Sequence, residues 1–205
     1  TNNNINIELP AELTAPDGTK ITNNFQQVDF GNPYTSNLVE VETPNLKPAK
    51  KVVDAAKADA KDLNDKTVLL NQVIDYYLDG VTIPAKHDTL TQYDLVDKLD
   101  TEHDEYTGNW KVIITASNTT TKETVLENDV KDENGKVYKA GDKIPTGTKY
   151  SYQIELTQDS KNADKYVSVT YKDGVWKASA KDELLSTVDN TSTFDMDAYV
   201  EVKRI

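Results

Sequence analysis

The densest run of chemically capable side chains is Asp97-Lys-Leu-Asp-Thr-Glu-His-Asp-Glu105. Calcium takes about 6–8 oxygen ligands from a flexible loop, which makes Asp100, Glu102 and Asp104 candidate ligands. The Asp-x-Asp-x-Asp-Gly order of an EF-hand is absent, so an acidic turn facing water is the stronger reading. His87 and His103 are the only histidines, and neither stands at a recognisable ligand spacing. Both read as solvated loop residues. The chain carries no GxGxxG, P-loop, GxSxG or HExxH motif. Nothing singles out the pair of carboxylates that glycoside hydrolysis needs. With no cysteine, thiolate nucleophiles, disulfides and cysteine zinc sites are excluded. Tyr76, Tyr77, Tyr93, Tyr106, Trp110, Tyr150, Tyr152 and Trp176 could line a carbohydrate groove, but most lie in alternating segments where packing explains them. The chain reads as a non-enzyme that requires no cofactor, with calcium the one candidate ion.

Charge narrows the partners. Among 205 residues, 35 Asp+Glu oppose 23 Lys+Arg for a net charge of -12. Such a surface repels nucleic acid and anionic membranes. No apolar run approaches the roughly 20 residues of a membrane span, so insertion is not expected. Without an initiator Met, signal peptide or C-terminal address, the sequence reads as a segment of something longer.

The elements that must position these residues have a period of two. Tyr150, Tyr152, Ile154 and Leu156 alternate with polar neighbours, as do Phe194, Met196, Ala198, Val200 and Val202. Alternation of this kind marks half-buried strands. Shorter runs are Val73–Leu78, Trp110–Thr115 and Tyr166–Tyr171. Asp17-Gly18, Asp79-Gly80, Asn134-Gly135 and Asp173-Gly174 are hairpin signals, because these pairs tolerate positive φ. An all-β, antiparallel sandwich follows, although alternation alone would also suit a barrel. Val53–Leu63, rich in Ala and Lys, reads as a short solvated helix or an extended connector, and Lys181–Leu185 as a second short helix. Residues 42–49 carry two prolines and no alternation, as an interdomain linker does. Residues 1–41 hold about three strands, too few to close a sandwich, and read as the end of a preceding domain or as a strand pair docked on the following one. Residues 50–205 make one complete domain.

Several stretches taken in order resemble the C-terminal stalk domains of the antigen I/II family of Gram-positive cell-wall adhesins. They are Gln27-Val-Asp-Phe-Gly-Asn-Pro-Tyr-Thr-Ser-Asn-Leu-Val39 with Thr43-Pro44, Ile83-Pro-Ala-Lys-His-Asp88, Tyr93–Asp100, His103–Val112 and the closing Phe194–Ile205. Enterococcal aggregation and conjugation surface proteins are similar in the same way. The resemblance implies immunoglobulin-like sandwiches in tandem, anchored to the cell wall outside the cell and holding a binding head away from it. It implies host glycoproteins or other bacterial cells as partners of the parent adhesin, with this segment monomeric. It also implies an autocatalytic Lys–Asn isopeptide bond. Lys50 stands where the family places the bonding lysine, and Asp97 where it places the assisting acid. The asparagine is expected on a strand beyond Ile205, while Asn23 or Asn24 would be the acceptor for the preceding domain. A purely structural stalk and a directly adhesive module are the two functions that follow.

Overall fold

The computed structural model describes residues 19–43 and 46–205, so the Asp17-Gly18 signal lies outside the described residues. The chain divides into two units, Thr1–Leu46 and Lys47–Ile205. In the first, four short strands appear: β1 (Lys20–Asn23), β2 (Gln26–Asp29), β3 (Asn32–Thr35) and β4 (Val39–Glu42). β2 and β3 form a hairpin, and β1 pairs antiparallel with β4. Phe30 and Gly31 turn the hairpin with φ of 47° and 79°, the doubly positive turn whose twist matches the strands it joins. Val28, Phe30, Tyr34, Val39 and Val41 are all exposed. Among the described residues these ladders have hydrogen bonds but no apolar core.

The second unit has one. Its strands are β5 (Ala49–Val53), β6 (Val73–Asp79), β7 (Asp94–Lys98), β8 (Asp104–Thr119), β9 (Thr124–Val125), β10 (Val130–Asp132), β11 (Val137–Tyr138), β12 (Lys143–Ile144), β13 (Lys149–Thr157), β14 (Val167–Lys172), β15 (Val175–Ala180) and β16 (Phe194–Arg204). Two four-residue helices, α1 (Ala163–Tyr166) and α2 (Asp182–Leu185), interrupt them. A seven-stranded sheet in the order β11-β10-β13-β8-β16-β6-β5 faces a three-stranded sheet in the order β14-β15-β7, and β9 with β12 form a separate ribbon. Every pairing is antiparallel. The fold is an all-β antiparallel sandwich. The alternating residues of the two longest central strands meet between the sheets: Val112, Ile114 and Ala116 from β8 pack with Phe194, Met196, Ala198, Val200 and Val202 from β16. Trp176, Ala178 and Leu95 close the core from the smaller sheet. At about 25 cal/mol per Å² of apolar surface, this burial is the main force holding the layers together.

Three local outcomes differ from expectation or refine it. Asp173-Gly174 makes the expected turn between β14 and β15, with φ of 52° and 79°. Asp79-Gly80 does not: the chain runs on through residues 80–93 before β7, and Gly80 serves close packing instead. A Cβ there would lie 2.0 Å from Met196 O and 2.5 Å from Tyr93 Oη. Residues 54–62 form bends and turns, not a helix, and an isolated bridge joins Val53 to Asp62. Their apolar positions are too few to hold a helical face on the sheet. The connector alternative is the one realised, and α2 occupies the second expected helix.

Candidate functional site

β5 is the edge strand of the large sheet and β7 an edge strand of the small one. Their side chains meet at one corner of the sandwich. On β7 the residues Leu95 and Asp97 are buried while Val96 is exposed. Asp97 therefore takes a core-facing position where the alternation otherwise supplies an apolar residue. On β5, Lys50 lies opposite Leu78, and Val52 opposite Tyr76. Lys50 Nζ reaches across the two layers to Asp97 Oδ1 at 2.7 Å, and lies 4.0 Å from the centre of the Tyr76 ring. The carboxylate is 8% exposed and the lysine side chain 42%. Lys50 is thus covered on its inner side and open on the other, above a recess of about 230 Å³ that Pro48, Ala49, Leu78, Asp79 and Val96 complete. Asp97 Oδ2 is buried and has no hydrogen-bond partner. A buried carboxylate oxygen without a donor costs on the order of 1–3 kcal/mol. No asparagine lines the recess.

Tyr76 connects this corner to a second ion pair. Its hydroxyl donates to Asp104 Oδ2 at 2.7 Å, and Arg204 Nη1 donates to Asp104 Oδ1 at 2.5 Å. Burial, then the hydrogen bond to Asp104, push the Tyr76 hydroxyl up to about 12. Asp104 is consequently not available to the expected calcium set: its carboxylate is fully buried against Arg204. His103 stands in its place, with ligand atoms of Asp100, Glu102 and His103 within 4.8 Å of one another on exposed side chains. His103 Nδ1 and Asp100 Oδ2 are 2.8 Å apart, and this contact holds the Asp100 carboxyl below its usual range. All three side chains of this turn face water. His87 is tied in more closely than a solvated loop residue, with Nε2 3.1 Å from Ser192 O. Asn23, at the end of β1, and Asn24 are exposed and make no side-chain hydrogen bond among the described residues; Lys20 on the same strand pairs with Glu40.

The outer face of the large sheet carries a group of acids with Lys111 among them, its Nζ 3.8 Å from Glu155 Oε2. Asp75 lies opposite Glu201 in the β6–β16 register. Burial first, and Glu201 second, push its carboxyl up to about 6. Asp197 accepts from Gly80 N at 2.8 Å and Tyr77 Oη at 3.0 Å. Burial outweighs these bonds and pushes it up to about 6 as well. Opposite Glu201 a bulge in β8 turns through Gly108 at φ 92°, and Thr107 Oγ1 and Asn109 Nδ2 each donate to the Glu201 carboxylate at 2.7 Å. The aromatic side chains mostly pack: Trp176 is fully buried, Tyr77 stacks on Tyr199 at 4.8 Å and Tyr106 on Tyr171 at 4.6 Å.

Residues 47–205, the whole second unit, match the family described as cell surface antigen C-terminus. The chain belongs to that family. It is 28% identical over 109 residues to an aggregation substance of Enterococcus faecalis, covering 53% of this chain and 8% of that protein. It also resembles the C-terminal domain of the antigen I/II polypeptide BspA of Streptococcus agalactiae, with 27% identity and a TM-score of 0.54 over 92% of this chain and 51% of that one. The corresponding domain of the antigen I/II-family protein AspA of Streptococcus pyogenes gives 28% identity and a TM-score of 0.57, covering 92% of this chain and 47% of that one. The chain thus spans about half the length of the solved chains it matches and a small part of the aggregation substance. These relatives are cell-surface antigens and adhesins, not enzymes.

Sequence reasoning nominated Lys50 and Asp97, and they stand in contact. It missed Tyr76 and Arg204. Tyr76 had a usable signal, because its position two residues before Leu78 on an alternating strand puts it on the inner face; Arg204 had none.

Proposed function

We propose that this chain is a load-bearing segment of a cell-wall-anchored surface adhesin, and that its second unit is closed in the parent protein by an isopeptide bond from Lys50 to an asparagine carried on a further strand. The observation that supports this reading is the half-covered pair itself: Lys50 Nζ 2.7 Å from Asp97 Oδ1, with Asp97 Oδ2 buried and unpartnered. Residues 61–64 cover the outer edge of β5 from Val52 onward, but beside Lys50, and along β7, the outer edge pairs with no strand among the described residues, and an unpaired edge accepts another strand. A strand laid there would remove water from Lys50. Desolvation penalises both charges of the pair, so the proton moves from the ammonium to the carboxylate. That single transfer makes a neutral amine, which is a nucleophile, and a carboxylic acid, which can donate to the asparagine carbonyl. Lys50 Nζ then attacks the carboxamide carbon, an amide bond forms, and the former side-chain nitrogen leaves as ammonia. The Tyr76 ring holds the amine in place beneath the incoming strand.

The first unit fits the end of a preceding stalk domain. Its strands expose Val28, Phe30, Tyr34, Val39 and Val41, a set that needs further chain to cover it, and Asn23 or Asn24 would be that domain's acceptor. Pulling the parent protein by its ends in single-molecule experiments tests the load-bearing reading. A cross-linked second unit yields no extension from residues between Lys50 and the acceptor. Release of that length in the wild type, equal to that of a Lys50→Ala variant, would overturn it.

A further inference from the structure

Far from the Lys50 corner along the large sheet, the ends of β10, β13 and β8 lie side by side. Their register sets Lys131 opposite Ser151, and Ser151 opposite Ser117. Two positions along, Lys149 stands opposite Thr119, and Glu133 N donates to Lys149 O at 3.2 Å. Side chains alternate along strands, so both rows occupy the face turned away from the core residues Ile114, Ala116, Ile154 and Leu156. The segment 189–193 walls this face. Ser117 Oγ and Thr193 Oγ1 are 2.8 Å apart, and Thr193 N donates to Ser117 Oγ at 3.0 Å. Asp189 Oδ1 accepts from Thr191 N at 2.8 Å and from Ser192 Oγ at 3.1 Å, which fixes the turn. Lys86 N donates to Asn190 O at 2.6 Å and brings Ala85 to the rim. The open cleft so formed is about 770 Å³, within the range of about 300–1,000 Å³ found for small-ligand sites.

We propose that this cleft binds an uncharged oligosaccharide of two or three rings. Its lining offers hydroxyls that both give and accept, from Ser151 and Thr119, and a carboxamide with two donors and an acceptor from Asn190. Lys131 and Lys149 add donors, and Glu133 an acceptor. None of these six side chains has a hydrogen-bond or ion-pair partner among the described residues, so their capacity is free for a ligand. A sugar presents hydroxyls of the same dual character around its whole perimeter, and one lined by donors and acceptors alike satisfies them without leaving orphans. The charges select against an acidic sugar. Lys131 and Lys149 are outnumbered by Asp132, Glu133 and Asp189 around the cleft, within a chain of net charge -12. Flat aromatic ligands lack a free platform, because Tyr150, the one aromatic residue of the lining, packs on Leu126, Val130 and Ile144.

The cleft shares no residue with the Lys50 corner, so this site stands or falls apart from the cross-link. The test is an array of uncharged, sialylated and sulfated glycans probed with the chain as given. Uncharged glycans are expected to bind, and their sialylated forms to bind more weakly. Two variants at exposed positions that carry no packing place the site: Ser151→Trp, which fills the cleft, abolishes binding, and Asn190→Ala, which removes one polar partner, weakens it about tenfold. Absence of binding to every uncharged glycan, binding confined to acidic ones, or wild-type binding by both variants would each overturn the proposal.

Discussion

Asp97 and Asp104 are both buried, and each faces a basic side chain that reaches it from another strand. They differ in how their oxygens are used. Asp104 gives one to Arg204 and the other to Tyr76, so the carboxylate is complete. Asp97 gives one to Lys50 and leaves the other without a donor, beside a lysine that is still partly in water. Arginine cannot give up its proton, whereas a lysine losing its water can. The first arrangement is a structural clamp on the closing strand β16. The second is the pair that, on the proposed function, an incoming strand would complete.

The largest test of that contrast is Asp104→Asn, which leaves Arg204 without its counter-charge. Removing one member of a buried ion pair is expected to cost about 3 kcal/mol, read as a lower urea midpoint with unchanged slope. Lys50→Met leaves the buried Asp97 carboxylate with neither oxygen partnered, and is expected to cost about 2 kcal/mol, less than Asp104→Asn because the recess admits water. Asp97→Asn should cost about 1 kcal/mol in the chain as given, because only one of its two oxygens is engaged and its partner is half exposed. A loss as large as that of Asp104→Asn would mean the two pairs are equivalent. Asp75, buried opposite Glu201, should respond in the opposite sense. Its carboxyl is raised from 3.8 to about 6, so the folded state binds a proton that the unfolded state releases. Stability therefore rises as pH falls from about 7 towards 4, and is lost again as pH climbs through about 6. Asp75→Asn is expected to add about 1 kcal/mol at pH 7, after allowance for solvent screening, and to reduce that dependence in denaturation curves taken across the range, the remainder belonging to Asp197.

How much of this was legible beforehand depends on periodicity. β13 and β16 were plain in the alternation of Tyr150–Leu156 and Phe194–Val202, because each has one face on the core. β8 was legible only over Trp110–Thr115. Its earlier part carries the Gly108 bulge, and a bulge breaks the period that pattern reading relies on. The first unit's strands bury almost nothing, so no period announced them all. At the corner, the resemblance supplied Lys50 and Asp97, and the alternation Leu95-Val-Asp97-Lys-Leu99 independently turns Asp97 inward. Asp104 stood among the calcium candidates because its partner, Arg204, lies 100 positions away in sequence. The cleft was not legible at all: Ser117, Lys131 and Ser151 become neighbours only through strand register.

The most direct measurement is the intact mass of the parent protein's segment running from Lys47 past Ile205 through the strands that follow, as wild type and as Lys50→Ala and Asp97→Ala. The account expects the wild type to weigh one ammonia less than its sequence, both variants to show full mass, and fragmentation to find Lys50 joined to an asparagine. Full mass in the wild type, or a deficit that survives Lys50→Ala, would contradict it.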